Sequence, residues 1–263
     1  MYTHGHHDSV LRSHRSRTAE NSAAYLLPLL RPGIDLLDVG CGPGTITRDL
    51  AQLVAPGHVV AIDAAGGILD EARGTCEEAG VGNVEFQQAD AESLPFDDAT
   101  FDVVHAHQVL QHVPHPVQVL SEMRRVCRPE GTVAARDGDF HGQAWWPHEP
   151  MLDRWLELYC SVARRNGGEP DAGRRLLSWA TEAGFSGVSC SASTWCAATP
   201  EVREWWADLW AERTTSSTFG ERAIELGLSD TDELTRIAEG WRRWAEAPDA
   251  WLVMIHGEIL CQR

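Results

Sequence analysis

The sequence predicts an α/β fold: a seven-stranded, mostly parallel sheet with helices on both faces. Three observations carry that expectation. Short apolar runs of strand length alternate with segments of helical periodicity from residue 36 to residue 137, the signature of consecutive strand–helix–strand units. Those runs are continuous rather than alternating, as in Val59-Val60-Ala61-Ile62, which suits strands covered on both faces. The first run, Leu36-Leu37-Asp38-Val39, passes directly into a turn with glycines at 40, 42 and 44 and then into a helical segment from Thr45, the way open α/β sheets build a ligand site. With 263 residues the chain can bury one large core, or one core with a modest cap.

Taken in order, residues 1–20 are polar, with His4, His6, His7 and His14 interspersed among Arg12, Arg15 and Arg17. Histidines can hold a metal, but no cysteine or acidic partners at fixed spacing accompany these, so no metal is expected. The segment reads as a solvated arm, or as a strap over the edge of the sheet anchored by a helix at 22–30. After the strand at 36–39, the three glycines permit positive φ and remove Cβ atoms. A ligand can then lie on backbone N–H groups near the positive end of the next helix. The second strand, 58–63, ends in Asp63, 19 residues beyond Gly44, near the spacing at which a carboxylate accepts from ribose hydroxyls. A helix over 65–79 stops at Gly80 and Gly82. The third strand, 84–88, leads to Asp90, and the fourth, 100–108, emerges where open sheets place their ligands. A helix at 117–126, the turn Arg128-Pro129-Glu130-Gly131 and a strand at 132–136 follow.

The glycine pattern is G-x-G-x-G, with Thr45 standing where the dinucleotide fingerprint needs its third glycine, which disfavours a nicotinamide cofactor. Asp38, Gly40, Gly42 and Gly44 instead resemble the first motif of the class I S-adenosylmethionine-dependent methyltransferases, whose core is Rossmann-like. The run Gln108-Val109-Leu110-Gln111-His112-Val113-Pro114-His115-Pro116 and the R-P-x-G turn resemble the ubiquinone and menaquinone biosynthesis subgroup. The resemblance covers about residues 36–137. It implies S-adenosyl-L-methionine as cofactor and S-adenosyl-L-homocysteine as product. Asp38 and the three glycines would form the cofactor loop, and Asp63 with Ala64 the ribose site. Asp90 would accept from the adenine amino group while the Ala91 N–H donates to a ring nitrogen. His107, ending the fourth strand, joins the cofactor set. The arm would close the pocket, with Tyr2, His6 and Arg17 as contacts and Arg17 taking the methionine carboxylate through a bidentate fork. Homodimers are common among such enzymes, so a homodimer is the partner expected.

Beyond residue 137 the match thins. A loop through Asp139-Phe140-His141 and Trp145-Trp146-Pro147-His148 precedes helices at 151–165 and 172–183, a strand at 188–197, a largely helical insert at 200–247 and a last strand at 250–260. The chain therefore divides into an arm (1–30), a cofactor-binding core (31–137), cap helices and core completion (138–199), a helical lid (200–248) and the last strand (249–263). Eight of the eleven tryptophans, at 145, 146, 155, 205, 206, 210, 241 and 244, lie in the cap or lid. Their helical spacing is explained by core burial, while an aromatic cap also suits an apolar, planar acceptor.

A net charge of −17 argues against a nucleic-acid surface, which needs clustered Lys and Arg. Seven scattered cysteines without a C-x-x-C pair fit free thiols in a reducing compartment. No apolar run approaches a membrane span, and the first residues lack a signal-peptide core, so a cytoplasmic protein acting on small molecules is expected. Methyl transfer from a sulfonium is an in-line displacement. The protein must align the reactants, exclude water and supply a base where the nucleophile loses a proton. His107, His112, His141 and Tyr25 are the candidate bases. His112 leads because it follows the fourth strand, and Tyr25 faces it from the arm, a pair similar to that of bacterial indole C-methyltransferases. The whole chain resembles actinobacterial and fungal secondary-metabolism methyltransferases acting on indole carbon or dithiol sulfur. A small apolar, heteroaromatic acceptor is expected, ahead of a dithiol, a quinone precursor, or a SAM-binding regulator without catalysis.

Overall fold

A computed structural model describes residues 8–263 of the chain. Its elements in order are α1 (Asp8–Arg15), α2 (Ala19–Ser22), β1 (Leu36–Val39), α3 (Thr45–Val54), β2 (Val59–Asp63), α4 (Leu69–Glu78), β3 (Val84–Gln88), β4 (Phe101–His107), α5 (Pro116–Val126), β5 (Cys127–Trp146), α6 (Pro150–Arg165), α7 (Ala172–Glu182), β6 (Gly187–Ala197), α8 (Pro200–Ser216), α9 (Thr218–Glu225), α10 (Thr231–Glu246) and β7 (Trp251–Gln262). The seven strands form one sheet in the order β3-β2-β1-β4-β5-β7-β6, with β1 to β5 paired in parallel.

The register explains how the site is built. Asp38 lies opposite His105, and His107 opposite Arg136. Partners in register share a face of the sheet and side chains alternate along each strand. One face therefore carries Leu36 and Asp38, Val103, His105 and His107, and Ala134 and Arg136. Its apolar part packs against Ala19, Ala23 and Leu26 and against Ile46, Leu50 and Val54 of α3. The opposite face, with Leu37, Val39, Val104, Ala106, Val133 and Ala135, packs against Leu120 and Met123 of α5 and Leu176 and Trp179 of α7. The polar residues of the first face thus fall toward the C-terminal ends of the strands.

Two expected elements are revised. The arm helix at 22–30 is instead the four-residue α2 followed by a 3-10 turn at Leu27–Leu29. Pro28 has no N–H to continue an α-helix, and Thr18 caps α2 tightly by accepting from the Asn21 N–H at 3.2 Å while its own N–H donates to the Asn21 carboxamide at 2.9 Å. The turn at 128–131, the strand at 132–136 and the loop expected through 146 are one continuous 20-residue strand, β5. The turn survives as an irregularity: Cys127 pairs with Phe101, the next pair is Val103 with Thr132, and Glu130 adopts φ 66°. Extra residues absorbed this way keep a strand in its sheet.

The chain separates into two compact units. One joins His14–Asp137, Ala172–Ser193 and His256–Arg263 and contains every site residue proposed from the sequence within the described residues except the candidate base His141. The other joins the segment ending at Ser13 to Gly138–Asp171 and Thr194–Ile255. Its core stacks Phe140, Trp155, Tyr159, Trp210 and Trp241, with Trp155 and Trp210 edge to face at 4.5 Å between centroids. These tryptophans are buried, so core packing accounts for them. His141 also belongs to this unit, where Nδ1 meets Asp171 Oδ2 at 2.7 Å. No helix among the described residues is long and apolar enough to cross a membrane.

Candidate active site

The glycine loop is held from below. Gly40 and Cys41 N–H both donate to Ile62 O, at 2.8 and 2.9 Å, Gly42 N–H donates to Asp63 Oδ2 at 3.0 Å, and Gly44 N–H donates to Cys41 O at 3.1 Å. Pro43 has no N–H. The row of free backbone donors expected for a ligand is therefore not what this loop presents, because its amides are spent on β2 and on the turn itself. What it presents is space. A Cβ on Gly40 would strike Val109 Cγ2, and one on Gly44 would lie 2.9 Å from Ala72 Cα, whereas a Cβ on Gly42 would meet nothing nearer than His14 Nδ1 at 3.9 Å. All three have positive φ (73°, 53° and 79°), a region other residues avoid. Gly40 and Gly44 serve packing, and Gly42 leaves an open surface. That open cradle, beside a carboxylate closing β2, fits an adenosyl ligand.

Asp38 is buried, and both its oxygens are engaged: Thr47 Oγ donates to Oδ2 at 2.6 Å, and His105 Nδ1 lies 2.9 Å from Oδ1. It ties β1 to β4 and to the first turn of α3, shaping the loop from inside the core. The His105 Nδ1 proton is thereby directed at the carboxylate, and its Nε2 has no partner among the described residues. Asp63 Oδ1 also accepts from the Ala65 N–H at 2.9 Å. Ala64 is exposed, its carbonyl accepting from Gln88 Nε2 at 2.9 Å. Asp90 is exposed just past β3, with Oδ1 accepting from the Glu92 N–H at 2.9 Å, and Ala91 beside it is half-buried.

At the C-terminal end of β4, His107 is buried, and its ring stacks toward His256 at 6.5 Å between centroids. Burial, then the neighbouring Arg17 and Arg136 cations, hold the His107 imidazolium form well below its ordinary range, so the ring is neutral. Arg17 Nη2 donates to Gln108 Oε1 at 2.6 Å, which brings the arm to this edge. Arg15 makes a two-point contact with Glu71 on α4, at 2.7 and 3.1 Å. Tyr2 and His6 lie outside the described residues.

Tyr25 and His112 do not meet through a hydrogen bond. The Tyr25 hydroxyl is buried and has no hydrogen-bond partner among the described residues. Burial, then the Glu258 carboxylate, push its phenol well above the ordinary range. A phenol so placed stays protonated. His112 ends a 3-10 turn, Leu110–His112, and its Nε2 lies 2.9 Å from Gln111 Nε2. An amide NH2 only donates, so this imidazole nitrogen accepts.

Four charged or titratable residues not expected from the sequence stand beside these. Arg136 is buried on β5, with Nε donating to Ser193 Oγ at 3.0 Å and to Glu258 Oε1 at 3.3 Å. Burial lowers its guanidinium to about 10. Glu258 accepts from Ser191 Oγ at 2.7 Å and from Ser193 Oγ. Asp137 accepts from the Gln111 N–H at 2.9 Å, and burial raises its carboxyl to about 7. His256 lies beside Gln108. The signal was present: each interrupts an otherwise apolar strand, and a charge inside a buried strand needs a partner.

Comparison with known proteins agrees with this architecture. Residues 30–199 match the family model described as a methyltransferase domain. An uncharacterised methyltransferase of Schizosaccharomyces pombe is 35% identical over 272 aligned residues, covering 100% of this chain and 96% of that protein. A ubiquinone/menaquinone biosynthesis C-methyltransferase of Ectopseudomonas mendocina is 44% identical over 132 residues, 49% of each chain. Among solved structures, the YcgJ protein of Bacillus subtilis superposes with a TM-score of 0.62 at 18% identity, covering 93% of this chain and 99% of that one, which shows a shared fold. The chain belongs to the methyltransferase domain family, and it is a class I methyltransferase that uses S-adenosyl-L-methionine.

Proposed function

We propose that this enzyme methylates a small, apolar heteroaromatic acceptor, with an indole carbon favoured. The observation that carries this reading is the Tyr25 hydroxyl, buried within the electrostatic influence of Glu258, Arg136 and Asp137 and without a hydrogen-bond partner among the described residues. A buried hydroxyl is costly unless something pairs with it. An aromatic ring carrying one N–H satisfies it and otherwise needs only apolar surroundings.

In this reading Asp63 and Ala64 hold the ribose, Asp90 and Ala91 the adenine, Arg17 the methionine carboxylate, and Gly42 the open floor between them. The bound cofactor supplies a sulfonium methyl group to the acceptor carbon. His112 takes the proton that this carbon then loses, exchanging its contact with Gln111 for one with the acceptor. The protonated Tyr25 hydroxyl orients the ring. His107, neutral and buried, shapes the site without carrying charge.

The quinone-biosynthesis relative favours a second reading, a C-methyltransferase of a quinone precursor, and its similarity spans about half of each chain. Incubation with methyl-labelled S-adenosylmethionine and matched indole, dithiol and quinone-precursor panels separates the possibilities. Label on an indole carbon supports the first reading, and label on a quinone precursor alone replaces it. SAM binding with no label transferred to any of these classes overturns the acceptor assignment.

A further inference from the structure

Gln108 follows the last residue of β4 and adopts φ 54°. Glutamine rarely occupies that region, and where it does the surroundings hold it there. Every hydrogen-bonding group of the residue that faces the sheet edge is engaged. Its backbone N–H donates to Arg136 O at 2.7 Å, its Oε1 accepts from Arg17 Nη2 at 2.6 Å, and its Nε2 lies 2.9 Å from His256 Nε2. The next residue, Val109, fills the space above Gly40 that a side chain there would need. One short turn therefore joins the arm, the glycine loop, β5 and the start of the β7 segment of this unit.

The chemistry of the partners fixes the amide's orientation. A guanidinium has only donors, so the amide oxygen faces Arg17 and the NH2 group faces His256. His256 Nε2 must then accept, which makes this imidazole neutral. The amide could not turn over without setting its NH2 against the guanidinium. Gln108 is thus held at both ends, one of them by Arg17.

We propose that Gln108 is a positioning residue for cofactor binding: it holds Arg17 at the edge of the sheet, pre-ordered for the cofactor's carboxylate. This rests on the assignment of Arg17 to that carboxylate. Arginine carries large rotamer freedom, and a tether that fixes it in advance lowers the cost of ordering it on binding. The backbone strain at Gln108 is the counterpart of that placement.

The test uses the full chain and compares affinity for S-adenosylhomocysteine with affinity for methylthioadenosine, which lacks the amino-acid portion, both by calorimetry. Gln108→Gly removes the tether and relieves the positive φ, so it should fold at least as well as the parent by thermal unfolding. We expect it to lose about tenfold in S-adenosylhomocysteine affinity, a difference calorimetry reads directly, with methylthioadenosine affinity unchanged. Adding Gln108→Gly to Arg17→Ala should cost nothing further, because both changes remove one function. If Arg17→Ala weakens S-adenosylhomocysteine and Gln108→Gly does not, the positioning role is wrong while the Arg17 assignment stands. If Arg17→Ala leaves affinity unchanged, that assignment fails and takes the proposal with it. Equal losses for both ligands would show a general structural effect and overturn the proposal.

Discussion

Asp63 illustrates how one side chain can serve the protein and a ligand together. It accepts from the Gly42 and Ala65 amides, one on each oxygen, and an ionised carboxylate has lone pairs left for two hydroxyls. Asp63→Ala should therefore weaken SAM binding by more than tenfold in calorimetry, since it removes an acceptor and frees the loop. His112→Ala should lower kcat with cofactor affinity unchanged, and an unaltered rate would remove His112 from the mechanism. Asp137 gives a pH signature. Its carboxyl ionises near the ordinary carboxylate value of about 4 when unfolded and at about 7 in the fold. Between those values the unfolded chain releases a proton that the folded chain keeps, so this group's contribution to stability falls as pH rises from about 4 to about 7. Asp137→Asn keeps an oxygen for the Gln111 amide and removes the buried charge. Its Tm should exceed the parent's by several degrees at pH 8 and match it at pH 4. An equal gap at both pH values would contradict the titration.

At the scale of elements, the β1–α3 turn separates packing from binding. Gly40→Ala drives a methyl group into Val109 in addition to the strain of φ 73°, and should cost about 2–4 kcal/mol in denaturant unfolding. Gly42→Ala meets open space at φ 53° and should cost about 1 kcal/mol while lowering SAM affinity through the lost floor. If the two variants are equally unstable, the division fails. Elements β1 to β4, α3 and α5 were legible because apolar period and glycine stops coincide there. Of β5 only 132–136 was, because Arg128, Pro129, Glu130 and Gly131 look like a turn and the stretch beyond 137 like a loop. Pairing with β4 holds those residues in the sheet as a register shift. The arm departs from the expected helix for a local reason, since Pro28 and the Thr18 cap outweigh an apolar run of helical length.

For the whole molecule, each compact unit has its own core, and ten of the eleven tryptophans fall outside the unit that holds the candidate site. Trp155 is fully buried at the centre of the aromatic cluster. Trp155→Ala should cost about 3–5 kcal/mol, read by tryptophan fluorescence during unfolding. Below the shifted transition, SAM affinity should stay within about twofold of the parent, a difference of under 1 kcal/mol, and a larger loss would tie the cofactor site to that core. The sequence by itself determined the fold class, the cofactor and the chain order of Gly40, Asp63, Asp90 and His112, because strand–turn–helix signals act over a few residues. Only the tertiary structure decided that Asp38 is engaged by Thr47 and His105, that the Tyr25 hydroxyl is not hydrogen-bonded to His112, and that Gln108 joins Arg17 to His256. Those outcomes depend on strand register and on partners tens of residues away, and no local pattern specifies which buried polar groups will share a face.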